Sequence, residues 1–343
     1  MHDVSLEFRH IAHAYGEMQA LAGISFTAPA GEITCLLGAS GCGKSTLLNL
    51  AAGLLAVQEG AIMLGGAVLA DARNHPAPEQ RPVGLVFQDG ALFPHMTIAR
   101  NVAFGLPRAR HGEVAGWLEQ VGLAGLGERY PHELSGGQQQ RAALARAMAP
   151  GPQVLLMDEP FASVDIVLRR KLRRDCRMLL RARGATTLLV THDPAEALDI
   201  ADHIAVMEQG RIVQFGSPAQ LHDDPASAAV GAMFSDAQIV AAQISGDGVA
   251  TAFGCWPLAA LKSGAIGASG SGDLLVPADG IDLVADPAGL AVVDCHALGA
   301  VTRVVLAGQG GALLTVETTT PVSADMAYRA LPQPGSLRLF LHD

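Results

Sequence analysis

Short apolar, β-rich runs recur through the first two thirds of the chain: Ile33 to Leu37, Val83 to Phe87, Val154 to Met157 and Thr187 to Thr191. They alternate with longer segments of helical spacing, which predicts an α/β domain with a largely parallel sheet up to about residue 235. One such segment, LRRKLRRDCRMLLRARG at 168–184, sets Leu168, Leu172, Leu179 and Leu180 near helical spacing. Its arginines are therefore read as the solvated basic face of an amphipathic helix rather than as a nucleic-acid patch. After Phe234 the pattern changes. GDLLVPADGIDLV, AVTRVVLAGQGGALLTVE and SLRLFLHD are short β-type runs parted by Gly, Pro and Asp turns, and they predict a small all-β barrel. The expected division is residues 1–235 and 236–343.

A length of 343 residues, half of them hydrophobic, suits two domains rather than one. No stretch approaches the ~18 consecutive apolar residues of a spanning helix. MHDVSLEFRH lacks the basic start and apolar core of a signal peptide, so the chain is expected to stay in the compartment where it is made. Five cysteines without a Cys-x-x-Cys pair point to neither a disulfide framework nor a zinc site, and fit a reducing cytoplasm. A formal charge of −10 disfavours a phosphate-backbone binder. The second domain sets only Lys262, Arg303, Arg329 and Arg338 against ten acidic residues, so no nucleic-acid partner is expected.

Two stretches carry chemistry. In EITCLLGASGCGKST an apolar strand runs into Gly38, Ala39, Ser40, Gly41, Cys42, Gly43, Lys44, Ser45 and Thr46, with the Gly-x4-Gly-Lys-Ser spacing of a phosphate loop. Glycines there let backbone N–H groups wrap phosphates, Lys44 meets the β and γ charges, and Ser45 can ligate Mg²⁺. Cys42 is read as a bystander, not a nucleophile. In VLLMDEP a buried strand places Asp158 at its end, where it can hold Mg²⁺ through water, with Glu159 beside it as the base that activates water.

These two motifs, with LSGGQ at 134–138 and VTHD ending in His192 and Asp193, occur in the order and spacing of an ATP-binding-cassette ATPase, which the chain resembles over about residues 4–235. The resemblance implies a P-loop α/β domain with a helical subdomain, and ATP and Mg²⁺ as cofactors. It also assigns roles. Gln88 senses Mg²⁺ and the γ-phosphate, completing a metal set with Ser45 and Asp158. His192 is the switch histidine, Asp165 belongs to the D-loop, and Tyr15 stacks on adenine, a contact worth ~1–3 kcal/mol by analogy with base stacking. The D-loop reads Ala162-Ser163-Val164-Asp165 where the family has Ser-Ala-Leu-Asp. Ser135, Gly136, Gly137 and Gln138 are implied to close over the γ-phosphate of a second subunit, giving a homodimer that sandwiches two ATPs head to tail.

DGALFPHMTIARNVAFGL, at 89–106, occupies the place where the family docks membrane subunits. The implied partners are two integral-membrane permease subunits and, indirectly, a periplasmic or extracellular solute-binding protein. The implied location is the cytoplasmic face of the inner membrane, held peripherally. The C-terminal domain resembles the TOBE-type extension of importer ATPases, a small OB-like fold, with Val276-Pro277-Ala278 where many relatives have Arg-Pro-Glu. FQDGALFPH, with Asp89-Gly90 rather than an aromatic after Gln88, resembles the ferric-iron importer ATPases. Importers of polyamines, thiamine and phosphonates share most of the remaining pattern. Non-transport cassette ATPases form the other class; they usually carry two cassettes or a long coiled coil between the motifs, and neither is present here.

Overall fold

The apolar runs become neighbouring strands of one sheet. A computed structural model describes residues 4–162, 164, 166–245, 248–262 and 270–342. In chain order the first part holds β1 (Leu6–Tyr15), β2 (Met18–Ala28), β3 (Ile33–Leu37), α1 (Lys44–Ala52), β4 (Glu59–Leu64), β5 (Ala67–Asp71) and β6 (Val83–Val86). There follow α2 (Ile98–Ala103), α3 (Val114–Gln120), α4 (Gly136–Met148), β7 (Val154–Asp158), α5 (Ile166–Arg183), β8 (Thr186–Thr191), α6 (Pro194–Ile200), β9 (His203–Glu208) and β10 (Arg211–Gly216).

Six strands pair in the order β10-β9-β3-β8-β7-β6, all parallel except β10 against β9. Every residue of β3 and β8 is buried, which is why both read as unbroken apolar or threonine runs rather than as alternation. A second, antiparallel sheet runs β2-β1-β4-β5. Here the burial of β1 largely alternates, and Leu6, Phe8, Ile11, Leu21 and Ile24 join Leu36, Leu47 and Leu156 in one core. Arg81, buried, donates to the carbonyls of Leu50 (2.7 Å) and Ala51 (2.9 Å) and so places a cation at the C-terminal end of α1.

The helix α5 forms where its spacing predicts, with Leu172, Cys176 and Leu180 buried four residues apart. Its basic residues divide. Arg170, Lys171 and Arg174 are exposed, as expected of a solvated face, whereas Arg173 is only 7 % exposed and, with Arg177 and Arg181, meets acidic residues of α6 and its flanks.

Contacts divide the chain into two compact units, Met1–Gln220 and Leu221–Asp343. The helices α7 (Pro218–Asp223) and α8 (Ala228–Phe234) are followed by β11 (Ala237–Ser245), β12 (Gly248–Thr251), β13 (Gly254–Trp256), β14 (Gly270–Pro277), β15 (Ile281–Leu298), β16 (Val301–Ala307), β17 (Leu313–Thr318), β18 (Ala327–Pro332) and β19 (Arg338–Leu341). The division falls before the composition change after Phe234 because α8 packs on β-strands of the second unit. Its Gly231 lies so close to Leu275 of β14 that a Cβ would sit 2.5 Å from Cδ2. Two antiparallel sheets, β13-β12-β11-β14-β19 and β17-β16-β15-β18, share a core that includes Val240, Trp256, Leu274, Val304 and Val316. The indole of Trp256 donates to the Ala330 carbonyl at 3.0 Å, which satisfies its one polar atom inside that core.

Candidate nucleotide site

Strand register brings the candidate residues to one edge of the parallel sheet. Leu37 pairs with Thr191, Asp158 with Val190 and Val86 with Met157, so the loops after β3, β8, β7 and β6 all leave from carboxyl ends. Open α/β sheets bind ligands at that edge.

The loop after β3 is built on close approach. A Cβ on Gly38 would sit 2.2 Å from the Met207 carbonyl oxygen, and one on Gly43, whose φ is +104°, would sit 2.5 Å from that of Ala20. Only glycine fits both places. Lys44 is 5 % exposed, and its Nζ donates to the carbonyls of Gly38 (2.7 Å) and Ala39 (2.9 Å), with Cys42 Sγ at 3.7 Å. Cys42 thus turns its thiol inward, while Ala39, Ser40 and Gly41 stay exposed. Gly43 leads α1 without any side-chain cap. The loop opens on a cleft of ≈ 360 Å³ lined by Tyr15, Met18, Gln19, Ala20, Ser40, Gly41, Gly43, Lys44, Ser45, Thr46 and Glu159. Uncapped helix N–H groups and a buried ammonium at one end of a cleft suit an anion such as phosphate.

Ser45 and Asp158 meet across this edge, Oγ donating to Oδ1 at 3.3 Å. Burial raises the Asp158 carboxyl above the usual range, the Ser45 hydrogen bond opposes this, the Glu159 charge adds to it and Lys44 opposes it. A carboxylate held this way gains from a cation. A serine hydroxyl and a carboxylate oxygen in contact beside a phosphate cradle are the few protein oxygen donors that suit Mg²⁺, whose other ligands would be phosphate and water oxygens.

Glu159 and His192 come together from adjacent strand ends, with His192 Nδ1 3.0 Å from Glu159 Oε1. Glu159 has φ +40°, a left-handed backbone that is costly for a glutamate; its N–H donates to the Val190 carbonyl at 3.0 Å and fixes it there. A half-exposed histidine against a carboxylate at the mouth of a phosphate cleft can hold and pass a proton.

Tyr15 lies at the rim, 46 % exposed, with its hydroxyl 3.5 Å from Thr46 Oγ1 and its ring edge-on to His13. Gln88 follows β6 but is exposed, does not line the cleft, and makes no hydrogen bond to Ser45 or Asp158 among the described residues. Asp165 lies outside the described residues. Ser135 to Gln138 begin α4 and also stand apart from this cleft. Ser135 Oγ accepts the Gln138 N–H at 3.4 Å and Gln138 Oε1 accepts the Ser135 N–H at 2.9 Å, a reciprocal capping box.

Motifs alone miss several residues. Met18, Gln19 and Ala20 line the cleft. Arg173 and Glu196 lie buried near Asp193, the residue after His192; burial pushes the Glu196 carboxyl up to about 7, against the pull of Arg173. The one sequence signal for the arginines is their spacing of four, at 169, 173, 177 and 181.

A family model described as ABC transporter matches residues 21–162. The Fe(3+) ions import ATP-binding protein FbpC of Pseudomonas fluorescens is 46% identical over 244 residues, covering 70% of this chain and 69% of the relative. The FbpC 1 protein of Rhodococcus jostii is 41% identical over 300 residues, 86% of this chain and 85% of its own. The sulfate/thiosulfate import ATP-binding protein CysA 2 of Chromobacterium violaceum is 46% identical over 255 residues, 73% and 69%. A solved ATP-binding cassette of an ABC transporter, in its ADP conformation, matches with TM-score 0.59 and 26% identity over 66% of this chain and 98% of that one. With the fold and the cleft in agreement, the chain belongs to the ATP-binding-cassette family of ABC transporters, whose members are ATPases coupled to transport.

Proposed function

We propose that this chain is the ATP-hydrolysing subunit of a bacterial importer of ferric iron. The observation that carries hydrolysis is the Glu159–His192 contact at the mouth of the phosphate cleft. For the cargo, the support is the printed function of relatives such as those from Pseudomonas fluorescens and Rhodococcus jostii.

In this reading the loop N–H groups and Lys44 hold the phosphates while Tyr15 stacks on adenine. Ser45 and Asp158 hold Mg²⁺, joined by Gln88 when its loop closes; the ion, when bound, neutralises phosphate charge. Glu159 accepts a proton from the attacking water as the β–γ phosphoanhydride bond breaks, and His192 steadies the carboxylate and the γ-phosphate. Asp165 serves the D-loop. Ser135, Gly136, Gly137 and Gln138 act on the nucleotide of a second copy, which agrees with their distance from their own cleft, so the working unit is a homodimer around two ATPs. The dimer drives two separate permease subunits from the cytoplasmic face of the membrane, with a solute-binding protein outside. No described helix is long and apolar enough to cross a membrane. The segment between Gln88 and α3 offers the docking surface: Phe104 is exposed, its ring 4.5 Å from that of Phe93, and Arg146 covers Phe93.

The test uses the transporter assembled with its permeases and binding protein. Glu159→Gln should retain ATP binding and slow hydrolysis by about 10²-fold or more, the scale of a lost general base; near-normal turnover removes Glu159 from that role. Hydrolysis should rise with Fe³⁺-loaded binding protein. A second reading, sulfate or thiosulfate, has the Chromobacterium violaceum relative behind it. Stimulation by a sulfate-loaded partner and none by the iron-loaded one would establish that reading instead.

A further inference from the structure

Helix α5 carries arginines at 169, 173, 177 and 181, one face at a spacing of four. Arg169 donates to the carbonyls of Ala162 (3.4 Å) and Val164 (3.1 Å), in the turn that leaves Glu159, where the Ala162 N–H donates back to the Glu159 carbonyl at 3.1 Å. Arg173 donates to Asp193 Oδ2 (3.3 Å) and Asp199 Oδ2 (2.9 Å). Asp193 directly follows His192; its Oδ1 caps α6 through the Ala195 N–H at 2.9 Å, and its own N–H donates to Thr191 Oγ1 at 3.1 Å. Arg177 and Arg181 both reach Asp202, whose other oxygen accepts the Ile33 N–H at the start of β3. One helix face therefore grips the segments that follow both members of the Glu159–His192 pair.

Burying such pairs is weak as a source of stability, since apolar replacements of similar volume are often neutral. Planar guanidinium forks instead fix direction and spacing. We propose that Arg173, assisted by Arg169, is a positioning residue that holds His192 in register with Glu159, with α5 as the rigid spacer between the two strand ends. This rests on the reading of Glu159 and His192 as the hydrolytic pair. Glu196 of α6 lies between Asp193 and Asp199 in the sequence, 4 % exposed and with Oε1 unpartnered.

The test is steady-state hydrolysis by the assembled transporter. Arg173→Met should lower kcat about 10- to 100-fold, the scale of a misplaced reacting group, with the KM for ATP within about twofold. The double variant with His192→Ala should be no slower than His192→Ala alone, because the arginine acts through the histidine. An unchanged kcat for Arg173→Met overturns the proposal, as does a double variant whose losses multiply. If His192→Ala itself turns over normally, the reading of the pair fails instead. Arg173→Lys keeps the charge and loses the fork. Should Arg173→Met fail to fold, a several-fold kcat loss at constant KM in Arg173→Lys supports the proposal, and normal turnover overturns it. Arg181→Ala, on the same face but tied to Asp202, should leave kcat within about twofold; a loss equal to that of Arg173→Met would mark a general weakening of α5 and overturn positioning.

Discussion

Two helices of the first unit have a glycine at their start, Gly43 capping α1 and Gly136 opening α4, and they treat their free N–H groups in opposite ways. At α1 the leading residue is Gly43 at φ +104° with no side-chain cap, and the start faces the cleft. At α4 the leading residue is Ser135, and Ser135 and Gln138 satisfy each other's N–H groups. The first start leaves its donors for a ligand and leans on neighbours for its shape. The second carries its own cap, so α4 can present Gly136 to something outside the chain without losing its end. A third start, α6, lies between these cases: Asp193 caps it, yet the acid in its first turn, Glu196, is buried.

The largest effect should come from closing the open start. Gly43→Ala puts a Cβ against the Ala20 carbonyl in a backbone region that disfavours it, and hydrolysis should fall by about 10²-fold or more, with nucleotide affinity measured by titration falling as well. If Gly43→Ala binds ATP normally, the contrast between the two starts is wrong. Gly136→Asp should separate folding from function at the capped start. An acid in the first turn helps the helix dipole by about 0.3–1 kcal/mol, so thermal stability holds or rises, while in the proposed dimer an anion facing the partner's γ-phosphate should cost at least about tenfold in turnover. Loss of stability alongside activity would assign Gly136 to the fold.

Glu196→Gln tests the intermediate case through pH. Its carboxyl stands at about 7 in the folded chain against 4.5 as a free group, chiefly from burial, with Arg173, Thr191 and Arg169 pulling down and Asp193 pushing up. The folded chain therefore binds the proton more tightly than the unfolded one, and wild-type stability falls as pH rises from 4.5 to about 7. The glutamine variant should match wild type in Tm below pH 4.5 and exceed it above about 7; an offset independent of pH would refute the assignment. The smallest effect on stability belongs to Ser135→Ala, a lost cap worth about 1 kcal/mol, or about 2–4 °C in Tm for a unit of this size. A much larger drop in Tm would mean the serine supports the fold beyond its cap.

What the sequence made legible follows the same division. The placing of the phosphate loop, Asp158 and Glu159 at strand ends was readable because each follows a buried apolar strand, while His192 entered through the family resemblance. The all-β character of the C-terminal part was readable from turn spacing. The pairing of Arg173, Arg177 and Arg181 was not legible because their partners, Asp193, Asp199 and Asp202, lie beyond β8 in the sequence; periodicity shows that a face exists and not what covers it. The boundary at Gln220 was hidden for a similar reason, since α8 looks like a continuation of the preceding helices until Gly231 meets Leu275. The pairing β2-β1-β4-β5 was not legible either, because β1 carries register shifts that blur its alternation.

The left-handed backbone at Glu159 has a consequence for anyone engineering this chain. Glycine would sit at φ +40° without strain, and asparagine with little, so a screen for thermal tolerance alone should favour both over the native glutamate. With Glu159 as the proposed base, such winners would be robust and idle. The position is one where durability and turnover select in opposite directions, and a library meant to yield a tougher working ATPase should hold residue 159 fixed and look for its gains elsewhere.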